Sequence, residues 1–410
     1  MRLVCGCAAL LLACAAAAQT PVFEQRGFLE SQNFFFVQTT PNDSALVLDQ
    51  TLFQWDASYR PAPWLRFTVS FDARADTHRQ VDRQPALSLD DRQIQRPALD
   101  MRLLSAQIHK GFLTLEVGRQ TIRWGQADFI IPTDRFTPRD YITDVIASDL
   151  LAVNAVRTTL SHGNDSLDLV WQPLFTPSRT PLLDQRWSPL TPQVDGLQVV
   201  DAGARDPGGS QEGVRWNHVG GKSEYSLAYF RGHSNLPIFD TTADPEAATL
   251  SVQRQYPTMQ MYGGDISRQL PWATLKGEAG YFTSSTPGAQ NYVLYVFQLE
   301  RHLREWVLTA GYVGSAITSG PASPLQFSPD LGLSRSFVGR ASRAIDVNRN
   351  VSVETVVRAG GSFVRGEYSQ AIGSHWRIAP GATWLRGDPS DFLGQYGRNS
   401  SISVIFRYSF

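Results

Sequence analysis

The chain has 410 residues and a nearly balanced charge, with 37 basic and 38 acidic side chains. Because a nucleic-acid-binding surface needs an excess of positive charge, this balance argues against nucleic acid as a partner. All three cysteines lie in the first 14 residues, which excludes a small fold held together by disulfides. The length suits two soluble domains or one β-barrel of about 16–18 strands.

The first 18 residues have the layout of a secretory signal peptide. Arg2 supplies the positive charge, an apolar run follows it, and Ala16–Ala18 forms a cleavage site of small residues. The apolar run is too short to span a membrane as a helix. We therefore predict that residues 1–18 are removed and that residues 19–410 form the exported domain. The alternative is a lipoprotein box in which Cys14 is lipidated.

Short segments of alternating apolar and polar side chains recur along the rest of the chain. In the clearest one, residues 65–74, Leu, Phe, Val, Phe and Ala alternate with Arg, Thr, Ser, Asp and Arg. A period of two predicts a β-strand with one apolar and one polar face. Similar alternation occurs at residues 53–59, 113–118, 275–281 and 351–358. No apolar run approaches the ~20 residues of a membrane-spanning helix, so we expect any membrane crossing to be made by strands.

The joints between these segments alternate between short turns and long polar loops. The short joints lie at residues 60–63, 110–111, 161–165, 219–221, 269–271, 301–304, 346–349 and 372–374, and the long ones at 77–97, 123–150, 173–211, 233–255, 284–290, 317–333 and 386–398. Short periplasmic turns and long external loops are typical of outer-membrane β-barrels. This alternation predicts 18 strands with both chain ends on the periplasmic side. If a hairpin at Ala359–Gly361 is left out and one more pair of strands is merged, the prediction is 16.

One long loop, together with the strand before it, carries a recognisable sequence. Residues 116–141 read EVGRQTIRWGQADFIIPTDRFTPRDY. The run of Gly, Arg, Gln, Trp-Gly, Asp and Pro in this segment resembles outer-membrane porin-like families, including alginate-export-type porins and related uncharacterised barrels. The resemblance implies a porin-like barrel and says little about the solute.

Residues 123–150 are a candidate for a loop that constricts the lumen. The charged residues proposed to form the constriction are Arg119, Arg123, Asp128, Asp134, Arg135 and Arg139. The arginines are expected to pair with the aspartates at 128, 134, 140 and 144. Because a charged loop is costly to bury in lipid, it faces either the outside water or the lumen. If the loop folds inward, its arginines and aspartates face each other across the pore. The apolar run Phe129–Ile131 favours this inward conformation, because it should not face water. A well-paired surface loop is the alternative.

Charged residues on the polar faces of the strands are candidates for lining the lumen. They are Arg66, Asp72, Arg74, Arg157, Glu278, Glu354, Arg358, Arg365 and Glu367. Their mixed signs favour ladders of salt bridges over one strongly anion-selective wall. Such charges either stiffen the wall or form a track for a solute.

The last strand-like segment has one apolar and one mainly polar face. Its apolar face holds Ile402, Val404, Phe406, Tyr408 and Phe410. A final Phe with an aromatic residue two positions before it resembles the C-terminal insertion signal of Gram-negative outer-membrane barrels. We therefore interpret Tyr408 and Phe410 as a membrane-insertion signal for the barrel-assembly machinery.

No sequence pattern points to catalysis or to a bound cofactor. There is no Gly-x-Ser-x-Gly nucleophile elbow and no His-Glu-x-x-His, and the seven histidines are scattered. Cleavage after Ala18 leaves no cysteine, which excludes thiolate metal sites. We predict no catalytic, cofactor or metal site, and we do not expect an enzyme.

The sequence thus predicts an all-β protein, a closed antiparallel transmembrane β-barrel of the Gram-negative cell outer membrane. The expected function is a porin-like channel for passive diffusion of small polar or anionic solutes or oligosaccharides. The expected partners are outer-membrane lipid and lipopolysaccharide, the barrel-assembly machinery and a small polar solute. The alternatives are a transporter of hydrophobic compounds, an outer-membrane barrel enzyme and a soluble secreted all-β protein. The solute and the oligomeric state remain open.

Overall fold

The computed structural model describes residues 22–320 and 326–410. In these ranges 18 antiparallel strands pair in chain order, and the last strand pairs with the first, so the sheet closes into a barrel. The predicted fold class is confirmed, and the larger of the two predicted strand numbers is correct. The predicted signal peptide and Cys14 lie outside the described residues.

The barrel strands are numbered here in chain order. They are β1 (Val22–Phe36), β2 (Val47–Ala62), β3 (Leu65–Asp76), β4 (Leu99–Lys110), β5 (Leu113–Gln120), β6 (Val153–His162), β7 (Asp165–Gln172), β8 (Gln211–Gly220), β9 (Ser223–His233), β10 (Thr258–Gln269), β11 (Thr274–Thr283), β12 (Asn291–Leu303), β13 (Trp306–Ser319), β14 (Ser336–Ala344), β15 (Arg349–Arg358), β16 (Gly361–Ile372), β17 (Trp376–Gly387) and β18 (Ser401–Ser409).

The two ends of the barrel differ in the length of their connections. At one end, the short-turn end, the described strands are joined by two to four residues. Gly111, Gly163 and Gly221 each begin a two-residue turn there with φ near +59°, a backbone conformation that glycine adopts without strain. The opposite end, the long-loop end, carries the longer connections. The hairpin predicted at Ala359–Gly361 is present, with two residues between β15 and β16.

The strands have an apolar outer face. Large exposed side chains such as Phe67 on β3, Phe297 on β12 and Phe337 on β14 recur on strands around the barrel. Ile402 and Phe406 on β18 belong to the same face, as the alternation of the last segment predicts. A soluble protein rarely exposes so much contiguous apolar surface, whereas a membrane barrel needs an apolar belt. This outer face argues against the soluble alternative.

The loops at the long-loop end add small elements of their own. Segments of loops 173–210 and 234–257 form a four-stranded sheet from Gln193–Val194, Leu197–Arg205, Thr249–Gln255 and Ile238–Asp244. A one-turn helix, Pro329–Gly332, and a 3-10 helix, Gly394–Asn399, lie in later loops. None of the helices in the described ranges has the length and apolar character needed to cross a bilayer.

The interior of the barrel contains a packed apolar cluster. Inward side chains of several strands, such as Phe230, Phe282 and Leu294, pack with loop residues including Trp124 and Phe136. The loop that contributes most to it is residues 121–152, between β5 and β6, which we call the inner loop. The barrel wall and this loop therefore share one core.

Candidate functional site: a loop inside the barrel

The inner loop is anchored in the barrel by aromatic packing. The Trp124 side chain is 1% exposed and meets the Phe136 ring edge to face, with 5.1 Å between centroids. Phe136 in turn packs edge to face against Phe230 of β9 at 5.0 Å. A Cβ atom added to Gly213 of β8 would lie 2.7 Å from both Trp124 and Phe136. Gly213 therefore provides the space in the wall that these rings fill.

Glu278 of β11 holds the segment of the inner loop between residues 126 and 133. Its Oε2 accepts hydrogen bonds from the backbone N–H groups of Gln126 at 3.0 Å and Ala127 at 3.2 Å. Its Oε1 accepts from the backbone N–H and the hydroxyl of Thr133, both at 2.8 Å. One carboxylate thus satisfies three backbone donors that no strand pairing satisfies.

Gly125 allows this close approach. Its φ of +93° lies in a region that favours glycine, and a Cβ there would lie 2.5 Å from Glu278 Oε1. Glycine in the Trp124-Gly125 pair is therefore required by both the backbone conformation and the approach of the carboxylate.

Further polar contacts connect the inner loop to other strands. Asp128 forms an ion pair with Lys276 of β11 at 2.9 Å, and its N–H donates to the Gln298 side chain of β12 at 2.9 Å. Gln50 of β2 donates to the Thr143 hydroxyl at 2.8 Å, and Asp144 pairs with Arg365 of β16. The inner loop is thus bound to widely separated parts of the wall.

Buried ion pairs connect the inner loop with loops 77–98 and 173–210. The Asp140 carboxylate accepts from Arg96 at 2.7 Å and lies 3.3 Å from Arg179. Asp91 pairs with both Arg119 and Arg179. Burial raises the pKa of Asp140, but Arg96 and Arg179 outweigh this effect and hold the pKa well below its usual range. Asp140 therefore stays ionised, and these buried ion pairs connect the three loops with one another.

None of the ion pairs expected within the loop is among those that the described residues form. Arg119 pairs with Asp91 and Asp100, and Arg135 pairs with Asp330 at 3.3 Å. Arg123 is exposed, and the Arg139 backbone N–H donates to Ser178. The physical reason is geometric, because the loop follows the wall and its charges meet strands and other loops rather than one another.

Asp134 differs from the other charged residues of the loop. Its side chain is 6% exposed, and neither carboxylate oxygen has a hydrogen-bond partner among the described residues. Burial raises the pKa of Asp134 to about 6, although Arg139 and Arg135 oppose the increase.

The candidate lumen-lining residues all lie on inward faces of strands. Several are already paired in the structure: Arg74 with Asp72 at 2.8 Å, Arg157 with Asp168 at 2.5 Å, Arg358 with Asp391 at 2.9 Å, Arg365 with Asp144, and Glu367 with Arg377 at 3.4 Å. Arg66 lies near the short-turn end, Glu354 faces Arg340 and Arg365 on neighbouring strands, and Glu278 holds the inner loop. A role in guiding a solute stays a prediction for all of them.

Some residues of the site were missed by the sequence reasoning. Lys276 lies on the polar face of β11, so the same alternation that selected Glu278 also marks it. Gln298 lies on the inward face of β12 together with the buried Leu294 and Val296, so no alternation marks it. Arg96 and Arg179 lie in irregular loops, where no periodic pattern distinguishes them from other arginines. Within the described ranges, no group of three or more His, Cys, Asp or Glu side chains is placed to hold a metal ion.

A polar cavity of about 290 Å³ lies between the inner loop and the wall formed by β1–β4 and β18. Its lining includes Glu30, Gln54, Arg74, Arg102 and Arg407. Arg407 of β18 pairs with Glu30 of β1 at 2.5 Å, across the seam that closes the barrel. Both signs of charge therefore line this water-accessible space.

Comparison with known proteins gives a family and a fold. The family described as "Protein of unknown function (DUF1302)" matches residues 65–299. No curated protein matches the chain. Among solved structures, the chain is similar to a BenF-like porin from Pseudomonas fluorescens Pf-5, with a TM-score of 0.57, 10% identity and coverage of 95% of this chain and 98% of that one.

Two further porin structures are similar at the same level. Acinetobacter baumannii OccAB4 has a TM-score of 0.56 and 9% identity, with 96% of this chain and 98% of that chain covered. Pseudomonas aeruginosa OccD3 has a TM-score of 0.54 and 10% identity, with coverages of 96% and 93%. At these identities the likeness shows the fold alone, which is that of a porin barrel.

Proposed function

The chain belongs to the DUF1302 family, and we propose that it is an outer-membrane channel through which small polar solutes diffuse passively. The observation that carries the proposal is the inner loop, which lies inside a closed barrel and is held there by polar and charged contacts. A loop held in this way narrows the lumen and leaves a charged, water-accessible space beside it. The apolar outer belt and the short-turn and long-loop ends support a location in the outer membrane.

The inner loop is proposed as the constriction that selects solutes. Arg123 is exposed, whereas Arg119 and Asp140 are buried in ion pairs, so the exposed charges of the loop are the ones available to a passing ion. Mixed charges along the wall favour discrimination by size and hydrogen bonding over strong selection by sign. Lipopolysaccharide, phospholipid and the barrel-assembly machinery are the partners that this location implies.

A transporter of hydrophobic compounds is the main rival. It requires an apolar path, and the barrel does contain apolar side chains. Those side chains pack against one another, as Trp124 does against Phe136, and the cavity beside the inner loop is polar. The polar channel is therefore the better-supported function.

Single-channel recording on the purified chain in a planar bilayer tests this proposal. We expect stable conductance steps, and the variant Arg123→Gln should shift the reversal potential in a salt gradient towards cation preference. Arg304→Gln removes an exposed charge in the turn between β12 and β13, at the short-turn end, and serves as the control, with no expected shift. A folded barrel that gives no conductance would contradict the channel and favour the hydrophobic rival or an enzyme.

A further inference from the structure

A pocket at the long-loop end lies directly beside the inner loop. It is formed by residues 134–141 of that loop, by the ends of β9–β12 and by residues 326–330. The pocket has a volume of about 60 Å³, and it adjoins a wider hollow of about 540 Å³ with which it shares lining residues that include His233, Thr258 and Ser284. The pocket is large enough for one end of a small solute, and the hollow for the remainder.

Several buried polar atoms in this pocket have no partner among the described residues. They are both carboxylate oxygens of Asp134, Oδ1 of Asn235 and Nε of Arg135. The Asn235 amide is fixed in orientation, because its Nδ2 donates to the backbone oxygen of Arg135 at 3.0 Å. Leaving a buried polar atom without a partner is destabilising, so this concentration in one pocket points to a ligand.

The hydrogen-bonding capacity of these four atoms indicates which class of ligand fits the pocket. Three of them accept hydrogen bonds and one donates, and a hydroxyl group can do both. The charged side chains that line the pocket balance in sign: two are basic and two acidic, Arg135, Arg139, Asp134 and Asp330. A net charge on the ligand would therefore add little binding free energy. The rings of Phe282 and Tyr292, stacked with centroids 4.6 Å apart, form an apolar part of the pocket lining.

We propose that this pocket binds an uncharged polyhydroxylated solute, a monosaccharide or the end of a short saccharide, through Asp134, Asn235 and Arg135. The proposal rests on the proposed channel function and names the class of solute that the channel admits. The site lies on the long-loop side of the constriction, where a solute from outside arrives first.

Ligand-observed NMR with the full chain in detergent micelles tests the pocket, using D-glucose as the probe. We expect saturable binding, and both Asp134→Ala and Asn235→Ala should weaken the affinity about tenfold, the effect of losing a hydrogen bond in a buried site. Asp240→Asn, at an exposed position of the loop strand Ile238–Asp244, removes a charge outside the pocket and should leave the affinity unchanged. Heat-modified gel mobility verifies that each variant is folded.

Choline and benzoate, a cation and an anion, are the comparison probes. Binding of either in preference to D-glucose, or equal affinity of wild type and both alanine variants for D-glucose, would overturn the proposal. Conductance steps without D-glucose binding would leave the channel standing and remove the saccharide site. D-glucose binding without any conductance would retain the site and contradict the channel.

Discussion

Replacement of Glu278 tests whether its carboxylate holds residues 126–133 of the inner loop in place. In Glu278→Gln, one oxygen still accepts from Thr133, while the new amide group faces the N–H groups of Gln126 and Ala127. Two charge-assisted hydrogen bonds are lost and two donors lose their acceptor. At about 1.5–3 kcal/mol for each such bond, the docking of this segment weakens by roughly 3–6 kcal/mol.

This loss lowers the docking equilibrium constant by roughly a hundred-fold to ten-thousand-fold. The aromatic anchor of Trp124 and Phe136 remains, so we expect residues 126–133 to loosen while the ends of the inner loop stay in place. Single-channel recordings should then show larger and noisier steps, and limited proteolysis should cut within this segment.

The matched control is Asp128→Asn, which breaks the ion pair with Lys276 in the same segment. That aspartate is more than a third exposed, so the pair contributes only about 0–1 kcal/mol to the docking of this segment, and the protease resistance of residues 126–133 should hardly change. Equal conductance noise and equal protease resistance in Glu278→Gln and wild type would refute the role assigned to Glu278.

Two further predictions concern pH and assembly. Burial raises the pKa of Asp134 from 3.8 to about 6, so the folded state retains a proton that the unfolded chain releases, and stability falls as the pH rises from about 4 to 6. Asp134→Asn should therefore increase the free energy of unfolding in urea by up to about 3 kcal/mol at pH 8 and leave it unchanged at pH 4; an equal effect at both pH values would contradict this. Phe410 stacks on Phe53 at 6.0 Å and exchanges two backbone hydrogen bonds with Gly27, so Phe410→Ser should lower the heat-modifiable fraction in outer membranes more than Phe337→Ser, an outward aromatic far from the seam. Equal losses in the two variants would remove the special role of the last residue.

The strands were predictable because their signal is local. A period of two over residues 65–74 requires only that one face meets an apolar phase and the other a polar one, and the structure places Asp72 and Phe67 accordingly. Turn residues such as Gly111 also act within a few positions of the chain. The fold and the inward faces of the strands therefore follow from short stretches of sequence.

The partners of the inner loop were not predictable in the same way. Arg135 meets Asp330, 195 positions away, and Arg365 meets Asp144, 221 positions away. The charges of the loop suggested pairing with near neighbours, but which partner each charge finds depends on how the loop packs against the closed wall. The apolar run Phe129–Ile131 did indicate burial, and Ile130 and Ile131 are indeed buried, because that signal does not depend on the identity of the partner.

The contacts of the inner loop have a mechanical consequence for the barrel. A hollow cylinder deforms most easily by flattening its cross-section, since flattening bends the sheet without breaking the pairing between strands. The inner loop connects β5 to β6 and also contacts β2, β11, β12 and β16. These contacts cross the lumen and resist flattening of the barrel. The loop that narrows the passage therefore also keeps its outline round, and neither property can be altered without affecting the other.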